Sequence, residues 1–316
     1  MGFFLIILGF LGVLQSAYGE EPSALQWLRD MRHAAEVSSY EGTIIYSKGN
    51  KLDSFRVFHG MYSGVERERM ISTNSPLREV VRNNQRVTCY FPDNKTVAIE
   101  QKSNKRSILF DIPGNVDEVS KQYEVAFGGE GIIAQRQVKL ISITPKDDFR
   151  FKRLFWLDKE TKLPLKFELL GEDGSPVEQV LYTDLNYKTE VPSASFEPST
   201  HSDESWQVKE HQTLPAETLK WSLSDVPEGF HLVSYSRLRR AEGVHAIDHI
   251  LLSDGFASVS VYVDHSDEKA VAPNFRNIGG LNSITRQVDD YLVTVMGEVP
   301  EKAVAVIANG LRRQAQ

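Results

Sequence analysis

The residues whose spacing could support metal binding are few. His245 and His249 are four residues apart, and on a helix that separation would place both imidazoles on one face as metal ligands. The neighbouring Ile247, Ile250 and Leu251 favour a strand or a loop instead, and no His-Glu-x-x-His motif or cysteine cluster supplies further ligands. We therefore expect no metal site at this pair and no cofactor in the chain.

Motifs for nucleophilic catalysis and phosphate binding are also missing from the sequence. There is no Gly-x-Ser-x-Gly element and no phosphate loop. The glycine-rich residues 128–131 include Glu130, whose carboxylate would repel a phosphate, so this segment is predicted to be a turn. Cys89 lies in an apolar strand pattern typical of an inert buried thiol. These observations favour a binding protein over an enzyme.

The composition is that of a globular chain. Of the 316 residues, 41% are hydrophobic and 25% are charged, and 43 acidic against 36 basic side chains give a net charge of -7. A net negative chain lacks the basic field that non-specific nucleic-acid binding requires. A single cysteine excludes an intramolecular disulfide framework.

The N-terminal residues predict export. An apolar run over residues 3–14 is shorter than the ~20 residues that span a bilayer, and it is followed by the small residues Ala17 and Gly19. This pattern predicts a signal peptide over residues 1–19 with cleavage after Gly19. The alternative is a buried N-terminal helix.

The remaining chain predicts two domains. Helical spacing of apolar residues begins at Pro22 and ends near Ser38, and a period of two follows over about ten short strands. Residues 20–197 therefore predict a mostly β domain with a large antiparallel, unclosed β-barrel. Residues 103–135 are expected to be irregular apart from a short helix at 116–122. A polar linker at 198–217 precedes a small α+β domain at 218–316, which closes with a helix from Pro300 that carries Arg312 and Arg313 at its end.

Two predicted strand segments are unusually rich in charge. Residues 66–69 read Glu-Arg-Glu-Arg and residues 78–82 read Arg-Glu-Val-Val-Arg, so in strands their side chains would alternate across the pleat. We expect an exposed outer face with cross-strand ion pairs, each worth about 0.2–1 kcal/mol. A docking surface is the alternative interpretation.

Several short segments, in their order and spacing, resemble the RseB/MucB family of periplasmic regulators of the sigma-E envelope-stress response. The matching segments are residues 40–46, His59, and residues 67–69, 78–82, 144–147, 157–166, 226–230, 253–256 and 297–300. The resemblance spans nearly the whole chain after the predicted signal peptide. It implies a lipoprotein-carrier-like first domain, half-wrapped around helices, followed by a small α+β domain.

The resemblance also implies a role. Proteins of this kind bind the periplasmic domain of a membrane-spanning anti-sigma factor (RseA/MucA-like), shield it from the site-one protease, and leave it when lipid or lipopolysaccharide binds. The chain would then be periplasmic, with no nucleic-acid partner. A periplasmic lipid or lipoprotein carrier is the alternative function, and self-association is left open.

Candidate site residues follow from the two predicted domains. Apolar strand residues could line a site for an acyl chain, or could simply pack on the helices of the domain: Phe55, Val57, Met70, Val80, Val97, Ile99, Leu109 and Phe110. In the second domain, aromatic and basic residues are candidates for the anti-sigma surface: Trp221, Phe230, Tyr235, Arg237, Arg239, Arg240 and Phe256. The segment at 237–240 could meet an acidic peptide or lipid phosphates, or could be a solvated turn.

Overall fold

The structure is a computed structural model that describes residues 22–74, 76–101, 109–110, 112–238, 246–266 and 272–314. It contains the helices α1 Ala24–Val37, α2 Val116–Gln122 and α3 Glu301–Gly310. Across these described ranges, no helix has both the length and the hydropathy needed to cross a bilayer. The predicted signal peptide at residues 1–19 lies outside the described residues.

The first domain is a large antiparallel sheet. Its described strands are β1 Tyr40–Lys48, β2 Lys51–Tyr62, β3 Val65–Ser72, β4 Glu79–Asn83, β5 Arg86–Phe91, β6 Thr96–Gln101, β7 Tyr123–Ile133, β8 Arg136–Pro145, β9 Lys152–Asp158, β10 Pro164–Leu170 and β11 Pro176–Tyr187. Their order is β6-β5-β4-β3-β2-β1-β11-β10-β9-β8-β7. Among the described residues β6 and β7 do not pair with each other. The predicted mostly β fold with an unclosed barrel is confirmed.

Helix α1 fills the concave face of this sheet. Ser23 begins the helix as its N-cap, with its hydroxyl accepting from the backbone N–H of Gln26. Leu28 and Met31 point into the sheet and are fully buried. Burial of side chains of this size stabilises a fold by about 1.5–3 kcal/mol each. We call the curved, unclosed sheet β1–β11 the half-barrel. Apolar side chains of the protein itself therefore fill its concave face.

Strand β7 was not predicted. Helix α2 has the bounds expected for the short helix, but the segment after it is an extended strand instead of irregular chain and a turn. Gly128 and Gly129 lie at a β-bulge, where the register against β8 shifts between Phe127 and Glu130. A Cβ on Gly128 would come within 2.4 Å of Leu140. The glycines here permit a bulge and a close side-chain contact.

The second domain is a smaller sheet with one packed helix. Its strands are β12 Gln207–Leu214, β13 Trp221–Leu223, β14 His231–Leu238, β15 Ile247–Ser253, β16 Ser258–His265, β17 Asn274–Ile278, β18 Leu281–Val288, β19 Tyr291–Gly297 and β20 Leu311–Arg313. The main sheet runs β12-β14-β15-β16-β19-β18-β17. Helix α3 buries Val304 and Ile307 against it, as the helical spacing predicted.

Two expectations about this half of the chain are corrected. The segment 198–217, expected to be a polar linker, contains β12, whose first half pairs in parallel with β6 and whose second half pairs with β14. The last helix ends at Gly310, and Arg312 and Arg313 continue into β20, which pairs with β13. Backbone hydrogen bonds hold both strands in place, and neither segment has the regular apolar alternation from which a strand is predicted.

Candidate functional site

The predicted acyl-chain lining is partly on one face. Val57 pairs with Met70 and Met70 pairs with Val80, and directly paired residues of antiparallel strands share a face. Phe55 lies on the same side, two residues before Val57, and Phe110 is buried in the same apolar cluster with Leu109 packed against it. These side chains surround α1 on the concave face. The apolar interior is thus real, and the protein's own side chains occupy it.

Val97 and Ile99 lie on the other face of the sheet. Their neighbour Ala98 pairs with Cys89, and Cys89 pairs with Val80 on the concave face. Successive side chains of a strand point to opposite faces, so Val97 and Ile99 face outward. The structure corrects the predicted lining at these two positions.

Charged residues that were expected outside lie inside the half-barrel. Glu68 is 0% exposed and Arg82 is 2% exposed. Arg82 donates from Nε and Nη2 to Oε2 of Glu68 at 3.2 Å, and also hydrogen-bonds Glu66. The imidazole of His59 contacts Glu66 Oε1 at 3.1 Å through Nε2 and the Ser38 carbonyl at 2.6 Å through Nδ1. This inner network links side chains of β2, β3 and β4 across the concave face, and Nη1 of Arg82 is buried in it without a hydrogen-bond partner.

The inner network shifts the titration of its members. Burial by itself would lower the pKa of His59, but the hydrogen bond to Glu66 and the charge of Glu68 outweigh it, so that the pKa is raised above 6.5. Burial would raise the pKa of Glu66, yet the hydrogen bonds from Arg82 and His59 lower it to about 2. A protonated His59 would give two cations to balance the two carboxylates.

A second charged network is buried on the outer face. Oε1 of Glu79 accepts from Arg69 Nε at 2.6 Å and from the Ser199 backbone N–H at 2.9 Å, and its Oε2 accepts from the Thr200 N–H at 2.9 Å. Arg69 also donates to the Ser195 carbonyl at 3.1 Å. Residues 193–200, which we call the strap, therefore lie across this face. An apolar cluster lies beneath the strap: Phe58, Val191 and Phe196. The expected exposed face of surface ion pairs is wrong, because the strap covers it.

The most extensive site that sequence reasoning missed is the junction of the two domains. The β15–β16 turn of the second domain carries Asp254, whose Oδ2 accepts from Tyr123 Oη at 2.7 Å and from Arg150 Nε. The Arg150 side chain is 0% exposed, and it also hydrogen-bonds Asp147 and the Glu228 carbonyl. A buried arginine held by two carboxylates and a carbonyl fixes the position of the turn against the first domain. The Ser-Asp-Gly-Phe turn at 253–256 was predicted from the sequence, but nothing in the sequence indicated that the turn contacts the other domain.

A second contact joins the domains at another edge. Lys48 hydrogen-bonds Glu298 of the second domain, and its Nζ lies 3.9 Å from Oε2 of Glu178. Burial, the charge of Glu298 and a hydrogen bond shared with it raise the pKa of Glu178 to about 8. Burial would raise the pKa of Glu298, but Lys48 and the hydrogen bond with Glu178 lower it. The opposite pKa shifts favour a protonated Glu178 beside an ionised Glu298 that pairs with Lys48.

The residues predicted for an anti-sigma surface are not an exposed group. The four aromatic members are all buried in this structure: Trp221, Phe230, Tyr235 and Phe256. The Arg237 side chain is 38% exposed and donates from Nε to Asp248 Oδ1 at 2.7 Å, so its charge is paired. Arg239 and Arg240 lie outside the described residues. Trp221, Phe230 and Tyr235 pack in the core of the small domain, whereas Phe256 packs in the core of the first domain. Because all four rings are buried, they cannot form one continuous surface here.

Of the two histidines with metal-like spacing, His249 lies on β15 among the described residues. His245 lies outside the described residues. His249 stacks on Tyr262, with ring centroids 4.5 Å apart, and its Nε2 lies 3.0 Å from Ser260 Oγ. Within the described part of the chain, no cluster of three His, Cys, Asp or Glu side chains could hold a metal ion.

Comparison with known proteins assigns both domains. Residues 23–200 match the family model described as MucB/RseB N-terminal domain, and residues 215–312 match the MucB/RseB C-terminal domain. The sigma factor AlgU regulatory protein MucB of Pseudomonas aeruginosa is 27% identical over 320 residues, covering 98% of this chain and 97% of that protein. The sigma-E factor regulatory protein RseB of Escherichia coli K12 is 25% identical over 303 residues, covering 92% and 91%.

A solved structure agrees with the fold. The complex of Pseudomonas aeruginosa MucA and MucB contains a chain that superposes with a TM-score of 0.75 at 24% identity, covering 93% of this chain and 99% of that one. The matched relatives are regulatory proteins and not enzymes. With both domain models matched in order, this chain belongs to the MucB/RseB family.

Proposed function

We propose that this protein is a periplasmic negative regulator of a sigma-E envelope-stress response. It binds the periplasmic domain of an RseA- or MucA-like anti-sigma factor, shields that domain from site-one proteolysis, and leaves it when lipid or lipopolysaccharide binds. One observation carries the proposal: the match to regulatory relatives runs through both domains over nearly the full length. A bare carrier would need only the half-barrel.

The proposal includes the processing and division of the chain. Residues 1–19 are a signal peptide that is cleaved after Gly19, residues 20–197 and 218–316 are the two domains, and 198–217 joins them. Mass spectrometry of the exported protein tests the cleavage. An N-terminus at Glu20 supports it, and retention of residues 1–19 contradicts it.

Release by lipid is a question of linked equilibria. A ligand with equal affinity for the complexed and released states shifts nothing, and a nearly complete shift needs about 10⁴-fold preference for one state. The concave apolar face, with Phe55, Val57, Met70 and Phe110, is where an alkyl chain would be accepted. Because protein side chains fill the interior, a bound alkyl chain must displace some of them. That displacement would make the ligand prefer the released state over the complexed state.

The first experiment is a pull-down of the mature protein with a purified anti-sigma periplasmic domain, with and without lipopolysaccharide. A protection assay with the site-one protease accompanies it. We expect binding and protection without lipopolysaccharide and loss of both with it. Absence of binding, or equal binding with and without lipopolysaccharide, contradicts the regulator function.

A surface variant tests the part played by the second domain. We propose that the region around Arg237, the exposed member of the described candidate set, contributes to partner binding. Arg237→Ala is expected to weaken the pull-down, and Arg276→Ala, an exposed arginine on β17 of the same domain, serves as the matched control. Equal binding by the two variants would remove Arg237 from the surface.

A periplasmic lipid or lipoprotein carrier is the second candidate function, favoured by the apolar interior of the half-barrel. A carrier would bind lipid and pass it to an acceptor membrane without affecting cleavage of an anti-sigma factor. Lipid transfer between vesicles, measured beside the protection assay, separates the two functions.

A further inference from the structure

The turn between β15 and β16 ends inside the core of the first domain. Asp254, Gly255 and Phe256 form its tip, and Phe256 is 2% exposed. Its ring belongs to the buried apolar cluster that contains Leu28 of α1, and not to the cluster of its own domain. Gly255 has a φ of +105°, and a Cβ there would come within 2.8 Å of Pro113. The turn therefore fits the first domain as a finger.

The socket for Phe256 is made by aromatic and cationic side chains of the first domain. The ring centroid lies 5.6 Å from that of Tyr123 and 6.2 Å from that of Phe155. Arg153 lies over the ring at 5.7 Å and donates from Nη2 to the Phe256 carbonyl at 3.1 Å. Phe155 also contacts Phe110, at 6.4 Å between centroids. The socket is thus continuous with the predicted acyl-chain lining.

Asp254 supplies a buried negative charge beside the apolar ring. Its Oδ2 accepts from Tyr123 Oη at 2.7 Å and from Arg150 Nε. Its Oδ1 accepts from the backbone N–H groups of Phe256 and Ala257, at 2.9 and 2.7 Å, which keeps the turn compact. The turn therefore places a carboxylate at Arg150 and, next to it, an apolar ring between Tyr123 and Phe155.

We propose that the Phe256 socket is a binding site for an anionic alkyl amphiphile and that the 254–256 turn is its built-in competitor. This inference rests on the proposed release by lipid. An alkyl chain takes the place of the Phe256 ring between Tyr123 and Phe155. A carboxylate or phosphate head takes the place of the Asp254 carboxylate at Arg150. The shared chemistry is one anion attached to one apolar chain.

Occupancy by the amphiphile and insertion of the turn exclude each other. When the ligand is bound, Asp254 and Phe256 leave the first domain, and the contacts that fix the second domain at this junction are lost. The ligand therefore binds more tightly to the state in which the junction is open. This is the differential affinity that lipid-triggered release requires.

Binding of a dansyl-labelled fatty acid to the full mature chain tests the proposal. Phe256→Ala is expected to raise the affinity about tenfold, because the competitor is removed and the open state dominates. Tyr123→Phe, which keeps the ring and removes one hydrogen bond to Asp254, should raise it by a smaller factor. Phe275→Ala, a phenylalanine that is 38% exposed on β17, is the control and should leave it unchanged.

Two further arms identify the chemistry of the ligand. A dansyl-labelled alkyl amide without charge should bind more weakly than the fatty acid, since it has no anion for Arg150. Lipopolysaccharide should compete with the fatty acid if a lipid phosphate occupies the same site. Hydrogen exchange of the wild-type backbone over residues 254–257 should accelerate when the fatty acid is saturating.

The outcomes separate this proposal from the proposed function. If the wild type binds the fatty acid and neither Phe256→Ala nor Tyr123→Phe changes the affinity, the socket is wrong and lipid binding elsewhere stands. Unchanged hydrogen exchange at 254–257 on saturation also contradicts the socket. If no variant binds the fatty acid, the socket fails, while anti-sigma binding and its release by lipopolysaccharide are still decided by the pull-down.

Discussion

Arg82 donates from Nε to Oε2 of Glu68 at 3.2 Å inside the half-barrel, where both side chains are shielded from water. The pair lies on adjacent strands, directly opposite in the β3–β4 register. Attraction between buried charges roughly offsets the cost of their desolvation only while both partners are present. We therefore expect that removing only one member of the pair destabilises the protein, because the other charge stays buried without its partner.

Arg82→Met should destabilise the protein by about 3–5 kcal/mol, because Glu66 and Glu68 would be left buried without their cation. Chemical denaturation followed by circular dichroism measures the free energy of unfolding. Arg86→Met, an exposed arginine on the neighbouring strand β5, is the matched control and should change it by less than about 0.5 kcal/mol. A loss of similar size in the two variants would contradict a special role for the inner network.

His59 gives the inner network a dependence on pH. Its pKa in the folded protein is raised above 6.5, so the folded state holds the proton more tightly than the unfolded chain. This contribution is fully present below pH 6.5 and is lost as the pH rises through the folded pKa. His59→Gln should lack that part of the decline in unfolding free energy, whereas His33→Gln, exposed on α1, should keep it. Parallel pH profiles for wild type and His59→Gln would refute the prediction.

Glu178, at the second contact between the domains, gives the protein a separate dependence on pH. The pKa of Glu178 is raised from 4.5 to about 8 in the folded protein by burial and by Glu298. The stabilising contribution is present below pH 4.5 and is lost as the pH rises through about 8. Glu178→Gln, which resembles the protonated acid, should therefore be more stable than wild type at alkaline pH. Glu172→Gln, exposed between β10 and β11, should behave as wild type, and thermal unfolding from acid to alkaline pH distinguishes them.

Release of the strap should follow from one substitution on the outer face. Glu79→Leu removes the acceptor for Arg69 and for two backbone N–H groups of the strap, each loss costing about 1–3 kcal/mol. Limited proteolysis should then cut residues 193–200 faster than in wild type. Glu197→Leu, which changes an exposed carboxylate within the strap, should not accelerate cleavage. Equal cleavage rates in the two variants would show that Glu79 does not hold the strap.

The sequence predicted the parts of the fold that have an apolar period. Helices α1 and α3 were visible because Leu28, Met31, Val304 and Ile307 recur at helical spacing, and most strands were visible from alternation and turn residues. Strand β12 was missed because its side chains are mostly polar, and because its two pairing partners, β6 and β14, are not adjacent to it in a hairpin pattern. Strand β17 was missed for a related reason, since all five of its residues are exposed.

The site was predicted less completely than the fold. Phe55, Val57 and Met70 were predicted on the concave face from their alternation. Which side chains of β6 face inward depends on its register against β5, and this register turns Val97 outward. The burial of Glu68 and Arg82 could not be predicted because charge runs are usually solvated. The burial of Phe256 in the first domain could not be predicted, because the sequence around a tight turn does not indicate which domain its apolar residue contacts.

Strand β12 is shared between the two sheets, and this has a mechanical consequence. Residues 207–210 pair with β6, and residues 211–214 pair with β14, so a single extended backbone crosses the boundary. Sliding one domain along the other would shear one of these two ladders, whereas swinging about the peptide between residues 210 and 211 preserves both. If the contacts at Asp254 and Glu298 open, we therefore expect the second domain to rotate about this peptide and to stay attached to β6.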